Sequence, residues 1–574
     1  MNLNKCIRWR TQLDYSILIG GAAGQGLDTS ANILEKILKR AGFYVFTYRD
    51  YMSMVRGGHN FTQIRFSNRN ISSFTEGVDI ILALNKETIK VHKSKLKHDG
   101  IIICGEEIAT GDDIISLPFE KIALSINNSK VYNTIGLGVI LKYFGLPTSL
   151  SENVLKENFN EKTVKDNTDA INEGYKLINE KYKFRLMNEN NIIISGNDAL
   201  ALGAIAAGCK YYCGYPMTPS TSILKYFSSK SEDMEIMVDQ VEDEVAALNM
   251  ALGASYAGVR AMTGSSGGGF ALMVEALSFA GIAELPVVII NAQRSGPATG
   301  MSTRTEQSDL RFVIHAGHGE FPRMVMALRD PKDAFYQTAR AFNIADKYQI
   351  PVLIMTDLYL ADYTKTITLF DFSKIEINRH VSEGYIKSDI RDSEYKKYKI
   401  TNSGVSPRII PGSVLGEVVL VDSHEHDEYG HITEDPKIRH DMVLKRMRKL
   451  EELKEEIYEP WFIGRENPEN LIVCWGSTYG AVKEAIDRLN AEGLSMGALV
   501  YGDIWPFPKE KLLNLGKTAK NIIDIEQNAT GQLNSIIKEE TPYESNFKIL
   551  KFDGRPFCGD EIYRRLKDEV LNKK

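Results

Sequence analysis

Tyr15-Ser16-Ile17-Leu18-Ile19-Gly20-Gly21-Ala22-Ala23-Gly24-Gln25-Gly26-Leu27 decides the fold class. An apolar run of strand length passes into a glycine-rich turn over residues 20–26. A helical pattern follows, with Leu27, Ala31, Leu34, Ile37, Leu38 and Ala41 on one face and Gly42 as its stop. Glycine between a strand and a helix lets backbone N–H groups approach a phosphate at the helix N-terminus. A dinucleotide fingerprint asks for glycine at its first, third and sixth places. Those places hold Gly21, Ala23 and Gly26, so a phosphate-binding turn and a plain tight connection both stay open. The nearby Arg56-Gly57-Gly58-His59-Asn60 supplies either a cation at the same sheet edge or an exposed loop.

Outward from this stretch, the same alternation recurs. Strand-like runs lie at 44–47, 79–84 and 100–104, and the polar residues 187–191 read as a linker. Alternation resumes from Asn197 to about Tyr363, with strand-like runs at 235–238 and 286–291. Residues 364–465 are rich in charge, tyrosine and proline and read as an insertion or long connection, with a helical run near 438–458. From Leu471 the βαβ pattern returns, with strands at 471–475, 497–501, 522–525 and 548–552 and a helix at 481–489 closed by Gly493. The expectation is an α/β protein of several three-layer, parallel-sheet domains. The boundaries fall at 1–190, 191–370, 371–465 (the connection) and 466–574.

Length and composition set the class. A chain of 574 residues has room for about three to four domains. Its 43% hydrophobic and 25% charged residues are those of a folded globular protein. With 69 basic against 75 acidic residues the net charge is −6, which argues against a nucleic-acid footprint. No secretory signal and no transmembrane helix are expected, because the apolar stretches are short or carry charges. The six cysteines, 6, 104, 209, 213, 474 and 558, are too sparse for a disulfide framework and fit a cytoplasmic protein. Only Cys209 and Cys213 lie close together, and no four have iron–sulfur spacing. No metal ligands are expected on this chain.

Five further stretches carry candidate chemistry. In Tyr215-Pro216-Met217-Thr218-Pro219-Ser220 two prolines stiffen a strand-to-helix loop. The loop either presents the Thr218 hydroxyl to a ligand or is a proline turn whose Ser220 caps the next helix. Gln240-Val241-Glu242-Asp243-Glu244 opens a helix, where acids interact favourably with the helix dipole. The small residues behind Glu244 (Ala246, Ala247, Ala251, Gly253, Ala254) make this helix internal and invite a functional carboxylate. Residues 263–269 (TGSSGGG) and 291–309 (NAQRSGPATGMSTRTEQSD) are strand-end loops of the kind that bind ligands. Arg294 within the second is placed to clamp a carboxylate or to pair with a local acid. Asp422, His424, His426, Glu428 and His431 crowd one segment, but their spacing matches no metal motif with a mechanism, and a polar loop accounts for them.

Together these segments resemble the 2-oxoacid:ferredoxin oxidoreductases, in particular α subunits with a γ domain fused in front. GAAGQG with RGGHN is similar to the γ domain, and GYPMTPST to the family's Tyr-Pro-x-Thr-Pro loop. QVEDEVAALNMALGASYAG, TGSSGGGFALM and NAQRSGPATGMSTRTEQSDL resemble its pyrimidine-type thiamine diphosphate domain. HGEFPR, SPRIIPG, DSHEHDEYGHI, GDIWPFP and EQNATGQL resemble further family segments, in family order. Two departures stand out: alanines in the first glycine loop, and Ser302 where the family usually has proline.

The resemblance implies a Rossmann-like γ domain, a pyrimidine-type domain and a transketolase C-terminal-like domain, the last structural and oligomerising. It implies that Glu244 hydrogen-bonds the aminopyrimidine ring of thiamine diphosphate and promotes loss of the thiazolium proton. Thr218 and Arg294, with Tyr215 beside them, match residues that hold the 2-oxoacid's carboxylate end. Gly21, Gly24, Gly26 and Arg56 are the cofactor-binding candidates of the γ domain. The family's Gly-Asp-Gly motif for the diphosphate and Mg²⁺ is absent from this chain. That cofactor site is therefore shared with a β subunit, which also carries the 4Fe–4S cluster. The implied reaction takes a 2-oxoacid, foremost 2-oxoglutarate, with coenzyme A as co-substrate and ferredoxin as acceptor, in an (αβ)₂ or larger assembly. Pyruvate, branched-chain 2-oxoacids and indolepyruvate are alternative substrates. A non-catalytic nucleotide-binding scaffold is the alternative of another class, and the imperfect fingerprint disfavours a simple NAD(P) dehydrogenase.

Overall fold

The computed structural model describes residues 13–53, 57–111, 113–184, 186, 191–382, 395–414 and 416–572. In chain order its strands begin with β1 (Asp14–Ala23), β2 (Tyr44–Asp50), β3 (Gly57–Ser67), β4 (Val78–Ala83), β5 (Leu96–Gly105), β6 (Ile114–Leu117) and β7 (Asn191–Ser195). Then come β8 (Tyr211–Gly214), β9 (Met237–Gln240), β10 (Ala261–Ser265), β11 (Val287–Gln293), β12 (Met324–Ala327), β13 (Pro351–Asp357) and β14 (Thr364–Thr368). The last six are β15 (Trp461–Gly464), β16 (Asn470–Trp475), β17 (Met496–Tyr501), β18 (Asp503–Trp505), β19 (Asn521–Glu526) and β20 (Phe547–Leu550). The chain divides into two compact units, one of Met1–Ile194 with Tyr363–Leu369 and Cys558–Glu561, the other of the remainder.

The first unit is built on an eight-stranded sheet of order β6-β5-β4-β1-β3-β2-β14-β7. Alternation along β1 puts Ile17 and Ile19 on one face, packed with Ala31, Leu34, Ile37 and Leu38 of helix Leu27–Arg40. Leu18 faces the other way, into a cluster with Ile81 and Ile102. Burial on both faces is what a helix–sheet–helix layering requires. The helix ends as the sequence predicts, with Lys39 and Arg40 in the last turn and Gly42 at φ 91°, the left-handed geometry in which glycine ends helices.

The α/β class holds, but the expectation of a parallel sheet is corrected here. β1 pairs with β4 in parallel yet with β3 antiparallel, and β3 with β2 antiparallel. The segment read as an exposed Gly-Gly-His-Asn loop begins β3. Gly21 faces Asn60 and Ala22 faces His59 across the ladder, so β1 runs on through Ala23 and the glycine turn shortens to 24–26. β14 returns from far along the chain to pair antiparallel with β2, with Thr364 opposite Thr47.

The second unit holds two sheets. The seven-stranded sheet has the order β18-β12-β13-β11-β10-β8-β9, and the five-stranded sheet β15-β17-β16-β19-β20. In the former, β13, β11, β10, β8 and β9 pair in parallel. One core joins the two sheets, with Val325 and Leu353 of the first and Val473, Trp475 and Tyr501 of the second in the same apolar cluster. The opposite face of the smaller sheet is covered as well, Ile472 and Cys474 packing with Val482 and Ile486 of helix Tyr479–Ala491.

Candidate active site

β11, β10, β8 and β9 lie side by side and parallel, so their carboxyl ends open onto one edge. The chain leaves each strand through one of the stretches singled out above: Arg294 after β11, the glycine run after β10, the proline loop after β8 and the acidic turn after β9. Open α/β sheets bind ligands at such an edge.

Three acids end the turn after β9, and the fold separates them. Glu242 and Asp243 are exposed, whereas Glu244 is only 2% accessible. Asp243 adopts φ 74°, ψ 164°, a conformation that costs a non-glycine residue about 1–3 kcal/mol. Its carboxylate repays part of this by accepting from Ala246 N at 2.8 Å, capping helix Glu244–Tyr256. The sharp turn aims Glu244 inward, where Ser265 Oγ donates to its Oε1 at 2.7 Å. Gly269 makes the space, since a Cβ there would stand 2.5 Å from Glu244 Cδ and closer still to Oε1 and to Ser265 Oγ. A buried carboxylate held by a hydroxyl, with no ion pair among the described residues, at a ligand-binding edge, is poised for chemistry.

The proline loop and Arg294 meet. Arg294 Nη1 donates to the Thr218 carbonyl at 2.9 Å, and partial burial holds its pKa below the ordinary guanidinium value. The contact uses the main chain of Thr218, leaving the hydroxyl out of it. Tyr215 starts the loop, its carbonyl accepting from Met217 N at 2.9 Å. Ser266 Oγ donates to Met217 Sδ at 2.7 Å, tying the loop to the glycine run. Ser220 does not cap helix Thr221–Lys230 with its side chain; its hydroxyl donates back to Met217 O at 2.8 Å. Ser220 has helical backbone angles (φ −70°, ψ −15°), not the extended ones from which a capping side chain reaches back to the helix amides.

Sequence reasoning picked out these stretches but missed individual residues in them. Ser265, the partner of Glu244, and Asp309 are the clearest cases. Asn291 Nδ2 lies 3.4 Å from Asp309 Oδ2, and burial pushes the Asp309 carboxyl up to about 6. A Cβ on Gly267 would stand 2.9 Å from Asp309 Cγ, so two glycines of one run each make room for an acid. Strand alternation offered a clue: Thr263 and Ser265 share a face of β10, and Ser265 lies opposite Asn291 of β11.

In the first unit, a cleft of about 340 Å³ borders the turn between β1 and helix Leu27–Arg40. Gly24, Gly26, Thr29, Arg49 and Asn60 line it. Gly21 does not; a Cβ there would stand 2.7 Å from Gln25 Oε1 and 3.1 Å from Leu84 Cβ. Gln25 Oε1 accepts from Ala22 N at 2.6 Å, so the turn holds one of its own amides. Arg56 lies outside the described residues.

The histidine-rich segment is divided among separate partners. His424 Nδ1 lies 2.6 Å from Asp422, and His431 Nδ1 3.4 Å from Asp427. His426 is buried with its ring 3.8 Å from that of Tyr398, and burial lowers its pKa. Among the described residues no group of three or more His, Cys, Asp or Glu side chains could hold a metal ion, and no helix is long and apolar enough to cross a membrane.

Comparison with known proteins shows what the chain as a whole is similar to. Residues 202–445 match a family model described as pyruvate flavodoxin/ferredoxin oxidoreductase, thiamine diphosphate-binding. Residues 16–177 match pyruvate ferredoxin/flavodoxin oxidoreductase, and 468–558 match pyruvate:ferredoxin oxidoreductase core domain II. The chain is 32% identical over 617 residues to the 2-oxoacid:ferredoxin oxidoreductase subunit alpha of a Sulfolobus species, covering 96% of each chain. It is 30% identical to the 2-oxoglutarate synthase subunit KorA of Methanothermobacter thermautotrophicus, over 66% of this chain and 96% of that one. The 2-oxoglutarate:ferredoxin oxidoreductase of Magnetococcus marinus, solved with 2-oxoglutarate, coenzyme A and succinyl-CoA bound, superposes with a TM-score of 0.89. The two are 32% identical, with 97% of this chain and 99% of that one covered.

Proposed function

The chain belongs to the 2-oxoacid:ferredoxin oxidoreductase α subunits, and from that membership we propose that it supplies half of an active site that oxidatively decarboxylates 2-oxoglutarate. Coenzyme A takes the acyl group, carbon dioxide leaves and ferredoxin takes the electrons. It is a subunit of an enzyme of this class and carries a thiamine diphosphate-binding domain. The observation that carries the reading is Glu244, buried on Ser265 at the same sheet edge where Arg294 meets the Thr218 loop.

The residues present fit one end of thiamine diphosphate. Glu244 is a buried acceptor with one hydroxyl donor, and Gly269 keeps space at its carboxylate. Bound there, the cofactor supplies a nucleophilic carbon and an electron sink for decarboxylation. Glu244 holds the proton-exchanging end of the aminopyrimidine ring, and Ser265 fixes which way its carboxylate points. Arg294 spends one of its donors on the Thr218 carbonyl. That contact orients the guanidinium so that its remaining donors face a 2-oxoacid carboxylate. Thr218 and Tyr215 complete this substrate-binding group.

The diphosphate, Mg²⁺ and a 4Fe–4S cluster are assigned to a β subunit, because this chain has no Gly-Asp-Gly triplet and scattered cysteines. The glycine-turn domain (1–190) is proposed to seat coenzyme A, with Gly24 and Gly26 at its cleft. Residues 191–370 form the pyrimidine-type domain, 371–465 a connection and 466–574 the transketolase-like domain. Two relatives whose names specify 2-oxoglutarate support that substrate. The family models, whose descriptions name pyruvate, favour pyruvate as a second reading.

The test is anaerobic co-expression with the β subunit. Coenzyme-A-dependent reduction of a viologen dye is followed over a panel of 2-oxoacids. The complex turns over 2-oxoglutarate best, the chain alone does not, and Glu244→Gln lowers kcat on the order of 10²–10⁴-fold. A folded, cofactor-loaded complex inert to every 2-oxoacid would sink the proposal.

A further inference from the structure

The segment Glu526-Gln527-Asn528-Ala529-Thr530-Gly531-Gln532-Leu533 has no part in the chemistry just described, yet it grips the loop that carries Arg294. We propose that this segment, with Ser477 and Thr478, is a positioning clamp for the substrate-binding arginine loop, and that Gln307 is the residue it holds. The third sheet then serves catalysis through that loop. This inference rests on the role assigned above to Arg294.

Gln307 is fully buried, and residues from the smaller sheet meet both its main chain and its side chain. Its N–H donates to the Gln527 carbonyl at 2.7 Å, and its own carbonyl accepts from Asn528 Nδ2 at 3.1 Å. Thr478 Oγ1 donates to its Oε1 at 3.0 Å. Its Nε2 donates to Asp357 Oδ2 at 3.0 Å, an oxygen that Ser477 Oγ also reaches at 2.6 Å. One residue further on, Gln532 Nε2 donates to the Ser308 carbonyl at 2.6 Å, and Gln532 Oε1 accepts from Arg311 N at 2.9 Å. A buried main chain paired on both sides is expensive to displace, because each broken bond strands a buried polar group.

The gripping segment is itself rigid. Glu526 accepts from Trp475 Nε1 at 2.9 Å and Asn528 Nδ2 at 2.8 Å on one oxygen, and from Leu533 N at 2.8 Å on the other. Asn528 Oδ1 accepts from Gly531 N at 2.8 Å. The amide that binds Gln307 therefore cannot swing away without breaking its own turn.

From Gln307 the grip passes both ways. Towards Arg294, the preceding Glu306 accepts from Ser295 Oγ, and Ser295 N donates to the Arg304 carbonyl at 3.0 Å. The residue next to Arg294 is thus tied to the clamped arm. Towards Glu244, Asp309 N donates to Gln293 Oε1 at 3.0 Å. Asp309 also stands against Gly267, two residues before the glycine that borders Glu244. A polar hub of this kind holds a first contact in place from behind.

The test uses the complete complex and four variants: Asn528→Ala, Gln532→Ala, Arg294→Ala and Asn528→Ala in the Arg294→Ala background. Gln532 is only half-buried, so its variant keeps the test open if Asn528→Ala fails to fold. The expected result is a rise of about 10-fold in KM for the 2-oxoacid in both clamp variants, the size of a small misplacement of a binding group. KM for coenzyme A and the affinity for thiamine diphosphate stay at wild-type values. Asn528→Ala has no further effect once Arg294 is gone, since residues acting through one contact are not additive. Unchanged KM for the 2-oxoacid in both clamp variants, while Arg294→Ala raises it, overturns the clamp and spares the arginine's role. Parallel rises for both substrates, or full additivity with Arg294→Ala, overturn it in favour of general loosening. Wild-type KM in Arg294→Ala itself overturns the arginine's role, and the clamp's purpose with it.

Discussion

Gly269→Ala separates the stability of this protein from its chemistry. Gly269 lies in helix Gly267–Leu272 and its φ is not positive. On propensity alone, alanine there would strengthen the helix by roughly 0.8–1 kcal/mol. The added methyl would stand 2.5 Å from Glu244 Cδ, and ordinary contact requires the carboxylate to withdraw by about 1 Å. The methyl meets Ser265 Oγ as well, and Glu244 and Ser265 are both buried. Parting them strands a buried carboxylate and costs about 1–3 kcal/mol, which offsets the helix gain and leaves only a modest net change in stability. The chemistry loses more, because a 1 Å misplacement costs on the order of 10²-fold in rate, or about 2.7 kcal/mol of transition-state stabilisation. Gly268 is a built-in control: a Cβ there meets nothing nearer than the Ala298 carbonyl at 3.9 Å. In the assembled complex, Gly269→Ala should lower the melting temperature by no more than about 5 °C and lose activity by viologen reduction, while Gly268→Ala should keep both. Gly269→Ala turning over within about threefold of wild type, or Gly268→Ala failing to the same degree, would refute the steric reasoning.

Glu284 is buried between Lys445 and Lys449, at 2.6 and 2.5 Å, and the two ammonium groups hold its carboxyl well below the usual range against the cost of burial. Glu284→Gln leaves both lysines without their carboxylate and should cost about 3–5 kcal/mol, seen as a fall in the denaturant midpoint; an unmoved midpoint contradicts it. Lys397, beside the same group, is pushed down to about 7 by burial, the carboxylate of Glu284 opposing this and Lys445, Lys449 and Arg408 adding to it. Unfolded, a lysine titrates near 10.4. Between about pH 7 and 10 the unfolded chain therefore binds a proton that the fold refuses, and stability rises with pH across that window. Lys445, lowered to about 8, adds to the same slope. Lys397→Met should make the rise in melting temperature from pH 7.5 to 9.5 shallower; an unchanged slope would exclude Lys397 as its source.

Much of the fold was legible locally. The helix after Gly26, its stop at Gly42 and most strands of the second unit follow from periodicity and from glycine's permitted conformations. The antiparallel character of β3 was not legible, because a glycine pair and a histidine look like a loop until β1 and β2 are seen on either side. The charged connection concealed more. Lys397, Lys445 and Lys449 fall in the stretch read only as an insertion or long connection, yet all three are buried around Glu284, which lies more than 100 residues earlier in the sequence.

The sequence by itself determined the α/β class, the four strand-end stretches of the site and the acid that opens the helix at Glu244. These depend on short-range rules: side-chain period, backbone freedom and the preference of acids for helix N-termini. Tertiary structure alone decided which of three adjacent acids is buried, that Ser265 holds it, that Gly269 makes its space and that Arg294 rests on the Thr218 carbonyl. It also decided that the segment at 526–533 closes on Gln307, more than 200 residues away. Each of these depends on residues that follow different strands or belong to different sheets. Strand order, a long-range property of how helices and sheets pack, brings them together, and no local pattern records it.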